Sequence, residues 1–299
     1  ARWAEQFGAL VAGAGDGSML PGHARRDISI SGLGIGTNRG AADDRTDVEY
    51  ARAVDAALRG GVNLIDTSIN YRRQRSERAV NAGLRVFVAD GGGARDGVVV
   101  CTKGGYLVPG AFPIGIEAVA GGVHCIHPAF LRDQLARSRR NLGLETIDVY
   151  YLHNPEKQLE FVDRVLFMER MRAAFECLEQ AVSEGLVRHY GTATWDGYHS
   201  GALSLRALVG LAQEIAGDDH HLRFVQLPFN LGMREAPTVL EVAAELGVTV
   251  VASATLRHAT DARRAIRFVL STPGISAALV GMRSTAHVAE NLAASKVPL

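Results

Sequence analysis

From Ile28 onward, short apolar runs alternate with longer stretches of helical period. The runs are Ile30–Thr37, Val62–Asp66, Val98–Lys103, Ile147–His153, His189–Thr194, Phe224–Leu227, Val248–Ala252 and Ala277–Val280. Apolar runs of this length, bounded by turn residues, read as buried strands. Between them lie amphipathic stretches. Asp47 to Leu58 sets Val48, Ala51, Val54, Ala57 and Leu58 on one side. A second helix starts at Ser76-Glu77 and carries Val80, Leu84 and Phe87. Pro128 lies near the start of a third, where its missing N–H is harmless, and Gly143 ends it. Further helices are predicted over 166–184, 200–216, 237–246 and 261–270, with a last one through Asn291.

Eight strand–helix units in alternation predict a parallel sheet, because each crossover between parallel strands needs a helix. Eight units favour closure into an α/β TIM (β/α)8 barrel. An open doubly wound sheet would announce itself with GxGxxG after its first strand, and Gly32-Leu33-Gly34-Ile35-Gly36 does not complete that spacing. Residues 1–27 are weakly patterned and read as an N-terminal extension; 28–299 read as one catalytic barrel. Two connections are long, 103–127 and 154–165, while Ser253 to Thr260 is short. Long irregular loops in a compact domain are usually functional walls or lids.

Charge narrows the partners. Lys+Arg and Asp+Glu are both 32, so neither nucleic acid nor an anionic membrane surface is expected to attract the chain. The basic run Arg132 to Arg140 reads as a solvated helix face. Cys101, Cys125 and Cys177 lack CxxC spacing, so no disulfide framework and no metal site is expected. With no apolar run of 18 or more residues and no leader pattern, a cytoplasmic location is expected. Nothing in the sequence specifies an oligomeric state.

Four chemistry-bearing residues, Asp66, Tyr71, Lys103 and His153, stand at or just beyond the ends of three consecutive strands. In a parallel barrel those ends open into one mouth. Singly, each reads as an ordinary turn or surface residue. Together, a carboxylate, a phenol, an ammonium and an imidazole form a proton-delivery device.

The segment Asn63-Leu64-Ile65-Asp66-Thr67-Ser68-Ile69-Asn70-Tyr71, followed by Ser76-Glu77, resembles the signature of the aldo-keto reductase superfamily. So do Thr102-Lys103, Leu152-His153-Asn154-Pro155, and Leu279-Val280-Gly281-Met282-Arg283-Ser284 with Glu290-Asn291. The resemblance implies a TIM barrel that moves a hydride between NAD(P)H and a carbonyl or alcohol carbon of an aldehyde, ketone or sugar. It implies Tyr71 as general acid, Asp66 as the partner that keeps Lys103 charged, and His153 as a donor to the substrate oxygen. A phenol has a pKa near ~10, and an adjacent ammonium is expected to lower it.

For the cofactor, the resemblance implies contacts from Gly36 and Thr37 near the ring and from Gln226 to the carboxamide. It also places Gly281 at the turn after the last strand, and His287, Glu290 and Asn291 around the adenine. Helix N-termini hold phosphate, and Arg283 there would reach an adenosine 2′-phosphate, so NADP(H) is favoured over NAD(H). The chain departs from the pattern in three places. Ala193-Thr194 replace a Ser-Asn pair, leaving Thr194 as the one side-chain donor. Ser253 replaces a stacking aromatic, and the pyrophosphate clasp is nearly absent. Tyr106, Asn154 and Trp195 are expected to line the substrate pocket, with Leu107, Phe112, Phe161, Phe229 and Met233 as further wall candidates. A cofactor-bound redox-sensing barrel is the alternative reading, and a Schiff-base aldolase on Lys103 fits less well.

Overall fold

The computed structural model describes residues 28–111, 115, 118–234 and 237–295. Its eight strands are β1 (Leu33–Gly36), β2 (Leu64–Asp66), β3 (Val99–Gly104), β4 (Ile147–His153), β5 (Val187–Ala193), β6 (Leu222–Pro228), β7 (Thr249–Ser253) and β8 (Ala277–Gly281). They pair in parallel in chain order, and β8 returns to β1, so the barrel is closed. The helices that follow are α1 (Asp44–Arg59), α2 (Arg75–Ala89), α3 (Pro128–Leu142), α4 (Arg164–Ser183), α5 (Leu205–Ala216), α6 (Pro237–Glu245), α7 (Ala262–Leu270) and α8 (Thr285–Ser295). The expected (β/α)8 fold is the fold observed. The expected extension, 1–27, lies outside the described residues.

Alternation along the strands produces two cores. One set of side chains points outward under the helices, including Ile35, Val100, Tyr150, Leu152 and Val225. The other points inward as Leu64, Val99, Cys101, Val149, Tyr151, Phe224 and Leu279, with Ile28 and Ile30 packed against it. β1 therefore begins at Leu33, three residues later than its apolar run. The residues before it close the barrel floor, where Ser31 N–H donates to Asn63 Oδ1 (2.6 Å) and Asn63 N–H donates to Ser31 Oγ (2.9 Å).

Helix starts follow their caps. Asp43 accepts from Thr46 N (2.8 Å), so α1 begins before the Asp47 suggested by periodicity. Ser204 caps α5, which starts at Leu205 and not near Ser200; residues before it form a turn held by the Tyr198–Thr192 hydroxyl pair (2.6 Å). The expected solvated face on α3 carries surface bonds. Arg132 pairs with Glu184 (2.6 Å), Arg137 with Asp133 (2.7 Å), and Arg139 donates to Glu145 O (2.7 Å).

Candidate active site

Strand register brings the chemistry to one end of the barrel. Asp66 ends β2, Lys103 stands next to the end of β3, and His153 ends β4. The Lys103 ammonium is fully buried. It donates to Asp66 Oδ1 (2.8 Å), Asp66 Oδ2 (2.7 Å) and Thr67 O (2.8 Å), using all three protons. Burial pulls its pKa down, but the Asp66 carboxylate and the Tyr71 ring more than offset that, so the amine stays charged. An amine kept protonated and held by three acceptors is a poor nucleophile, which counts against the aldolase reading.

Tyr71 lies beyond β2, with Lys103 Nζ 5.0 Å from its ring centroid. Here one expectation is corrected. Burial raises the Tyr71 pKa above that of a free phenol, and the opposing pull of Lys103 does not overcome it. The group is a neutral phenol at neutral pH. His153 stands edge-on to Tyr71 (centroids 5.8 Å, 82°) and to Tyr106 (5.1 Å, 86°). Burial, then the Lys103 charge, push its pKa well down, so the imidazole is neutral. Its Nδ1 lies 3.3 Å from Ser68 Oγ, and that hydroxyl donates to Asn70 Oδ1 (2.5 Å).

A second histidine supports the first. His124, fully buried, donates from Nε2 to the His153 carbonyl (2.8 Å), and Gln158 Nε2 donates to its Nδ1 (2.8 Å). Arg170 completes the chain through Gln158 Oε1. These bonds fix the His124 tautomer, and burial brings its pKa down to about 4. Sequence reasoning missed His124, Gln158 and Ser68. The first two sit in the two long loops, where no period or spacing marks them. Ser68 lay within the quoted signature but had no partner until β2 and β4 were placed.

A cavity of about 920 Å³ is lined by Asp66, Tyr71 and His153, with Lys103 buried behind them. Tyr106, Asn154 and Trp195 line it as expected, as do Gly36, Thr37, Thr194, Gln226, Ser253 and Gly281. Several of their polar groups are engaged within the fold. Thr37 Oγ1 donates to Asp66 O (3.2 Å), Gln226 Nε2 donates to Asp66 Oδ1 (2.7 Å), and Thr194 Oγ1 bonds Glu156. Asn154 Nδ2 donates to Tyr106 Oη (2.9 Å). Phe229 is not a wall: it is buried and stacks on Phe268 of α7, outside the barrel (5.6 Å). Leu107, Phe161 and Met233 also lie off the cavity lining, and Phe112 is outside the described residues.

At the β8–α8 turn, Arg283 is exposed and its Nε lies 3.0 Å from Glu49 Oε2 of α1. His287 and Glu290 are exposed and Asn291 is buried. Two cations not singled out from sequence, Arg39 and Arg257, line the cavity itself, and Arg257 stacks on the Trp195 ring (4.7 Å). Asp66, already neutralised by Lys103, is the one carboxylate among the described lining residues.

The model of the Aldo/keto reductase family matches residues 32–260. The chain belongs to this family. D-threo-aldose 1-dehydrogenase from a Pseudomonas species is 29% identical over 192 residues, covering 58% of this chain and 53% of that protein. NADH-specific methylglyoxal reductase from Escherichia coli is 27% identical over 179 residues, covering 58% and 51%. The chain thus spans about half the length of the curated relatives it matches. Among solved structures, an aldo/keto reductase from Klebsiella pneumoniae in complex with NADP and acetate superposes with a TM-score of 0.66 at 19% identity. It covers 90% of this chain and 87% of its own. The glycerol dehydrogenase of Gluconobacter oxydans gives 0.68 at 20% identity, covering 91% and 89%. Both likenesses concern the fold.

Proposed function

We propose that the protein is an NADP(H)-dependent oxidoreductase that reduces a small carbonyl compound, an aldehyde, ketone or sugar, to the alcohol. The observation that carries this reading is a cavity lined by Asp66, a neutral Tyr71 phenol and a neutral His153 imidazole, with the buried Lys103 ammonium held behind them by Asp66. Bound in that cavity, the nicotinamide supplies the hydride. Tyr71 gives the substrate oxygen its proton, and the Lys103 ammonium stabilises the phenolate left behind. Asp66 keeps that ammonium charged and in place. His153 orients the carbonyl from the opposite side.

The residues present fit a dinucleotide. Gly36 and Gly281 leave the wall flat, the Gln226 amide would meet the carboxamide with its oxygen, and Arg39 and Arg257 would supply positive charge to an anionic cofactor. Arg283 would take a 2′-phosphate after release from Glu49, which favours NADP(H); a relative named NADH-specific keeps NAD(H) as the alternative. Asn70, Asn154 and Tyr106 give the substrate end polar groups suited to a hydroxylated carbonyl, in keeping with the relative named an aldose dehydrogenase.

The test is loss of nicotinamide absorbance from NADPH and NADH with a panel of aldehydes, ketones and sugars, for wild type and Tyr71→Phe. Turnover should fall by about 10³-fold or more in the variant while NADPH still binds by fluorescence, as expected for loss of a general acid. Wild-type binding without any turnover would move the redox-sensing reading to first place.

A further inference from the structure

Tyr71 is followed by three residues in the left-handed region, none of them glycine: Arg72 (φ 48°), Arg73 (φ 57°) and Gln74 (φ 70°). Each such residue costs about 1–2 kcal/mol, and a run of them persists only where surrounding contacts over-determine it. Arg72 supplies those contacts. Although arginine belongs on surfaces, this one is 8% exposed and turned into the protein. Its Nε donates to Ala41 O (2.7 Å), and one terminal nitrogen donates to Asp43 O (3.2 Å) and to Asp47 Oδ1 (2.5 Å). Its guanidinium lies over the Tyr50 ring (5.3 Å).

The acceptors form a unit. Asp43 caps α1, Asp47 is in its first turn, and Asp47 Oδ2 also holds Arg75 (2.6 Å) at the far end of the strained run. Tyr50 Oη donates to the carbonyl of Arg39, which lines the active-site cavity (2.9 Å). Tyr71 N–H still donates to Ser68 O just after β2 (3.0 Å) and Gln74 Nε2 donates to Pro109 O (3.3 Å), while the guanidinium of Arg72 fastens the strained run to the β1–α1 loop and to the first turn of α1.

We propose that the Arg72–Asp47 ion pair is a positioning latch that holds the left-handed turn 72–74 and so sets the Tyr71 phenol against Lys103 and His153. The proposal rests on the reading of Tyr71 as the proton donor. It separates cleanly from a role in backbone conformation alone. Glycine adopts the left-handed region without penalty, so Arg72→Gly relieves strain while removing the latch. A residue needed only to make the turn would be replaced at no loss; a latch would not.

The experiment compares wild type, Arg72→Gly, Arg72→Lys and Asp47→Asn in the full chain. It reads melting temperature, kcat, KM, and the Tyr71 phenolate titration by difference absorbance against the matching Tyr71→Phe protein. Expected for Arg72→Gly and Asp47→Asn is a cooperative melt with kcat reduced about tenfold or more and KM little changed, since mispositioning a reacting group by an ångström is costly to the rate. The Tyr71 titration midpoint should fall towards the ordinary phenol value of about 10 as the ring loses its burial. Arg72→Lys should fall between, because one ammonium cannot reach all three acceptors. Wild-type kcat together with a wild-type titration in Arg72→Gly would overturn the latch. Should Arg72→Gly not fold, Asp47→Asn decides on the same two readouts, since it leaves both carbonyl bonds of Arg72 in place. A wild type without turnover would count against the proposed function alone, and the titration would still test the latch.

Discussion

Asp66→Asn removes one negative charge from beneath Tyr71 and leaves the buried Lys103 ammonium with neutral acceptors. At 2.7 Å the two charges attract by about 6 kcal/mol if the effective dielectric is near 20. Most of that attraction offsets the cost of taking both groups out of water. The net loss on breaking a buried pair is about 3–5 kcal/mol, and the low end applies because the substituted amide can still accept a hydrogen bond. Unfolding entropy of about 2.1 cal/mol/K per residue converts the low end into a drop in melting temperature of about 5 °C for 299 residues. The sign with pH follows from Lys103, whose pKa is raised in the fold. Its contribution is complete below the unfolded value of about 10.5 and is lost as pH rises through the folded value. The deficit of Asp66→Asn should therefore be constant from about pH 6 to pH 8, on the order of several degrees throughout. The decisive comparison is Asp66→Asn/Lys103→Met by thermal melt at neutral pH. Removing both charges should recover part of the stability lost in either single variant. A double variant whose losses simply add would refute the account of a mutually dependent buried pair.

Other consequences can be checked on the same samples. His124 is buried neutral with its pKa pushed down to about 4, below the usual value near 6.5. Stability should therefore fall by up to about 3 kcal/mol as pH drops through that window, because the unfolded chain binds the proton first. In His124→Gln the melting temperature should depend less steeply on pH over the same range. Gly191→Ala would drive a methyl group into the Phe224 backbone carbonyl where β5 and β6 shift register, and backbone cannot move aside as a side chain does. It should cost about 3 kcal/mol or more, measured by denaturant midpoint; a near-native midpoint would mean that the bulge is plastic.

The barrel was legible in the sequence because its two periodicities are clean: runs such as Val99–Lys103 and Ile147–His153 alternate between two buried faces, and helices such as α3 carry a single apolar stripe. The quartet was legible because strand ends converge in this fold. What could not be read was set by long-range contact. β1 starts late because Ser31 exchanges hydrogen bonds with Asn63, far along the chain. The Tyr71 phenol was expected to be acidified by Lys103, but burial has no local sequence signal, and here burial prevails. Phe229 reads as a pocket wall by position, yet its partner Phe268 draws it outside the barrel. His124 and Gln158 meet only when two loops fold over the same strand end.

The raised pKa of Tyr71 bears on the direction in which such a site runs. In the resting protein near neutral pH almost every molecule carries the proton on the phenol, so an incoming carbonyl meets a loaded donor. An alcohol must wait for the rare molecule that has lost it. With Tyr71 as the proton donor proposed above, reduction would need no prior loss of a proton near neutral pH, whereas the rate of alcohol oxidation should climb as the surroundings become alkaline, the equilibrium itself staying that of the reaction.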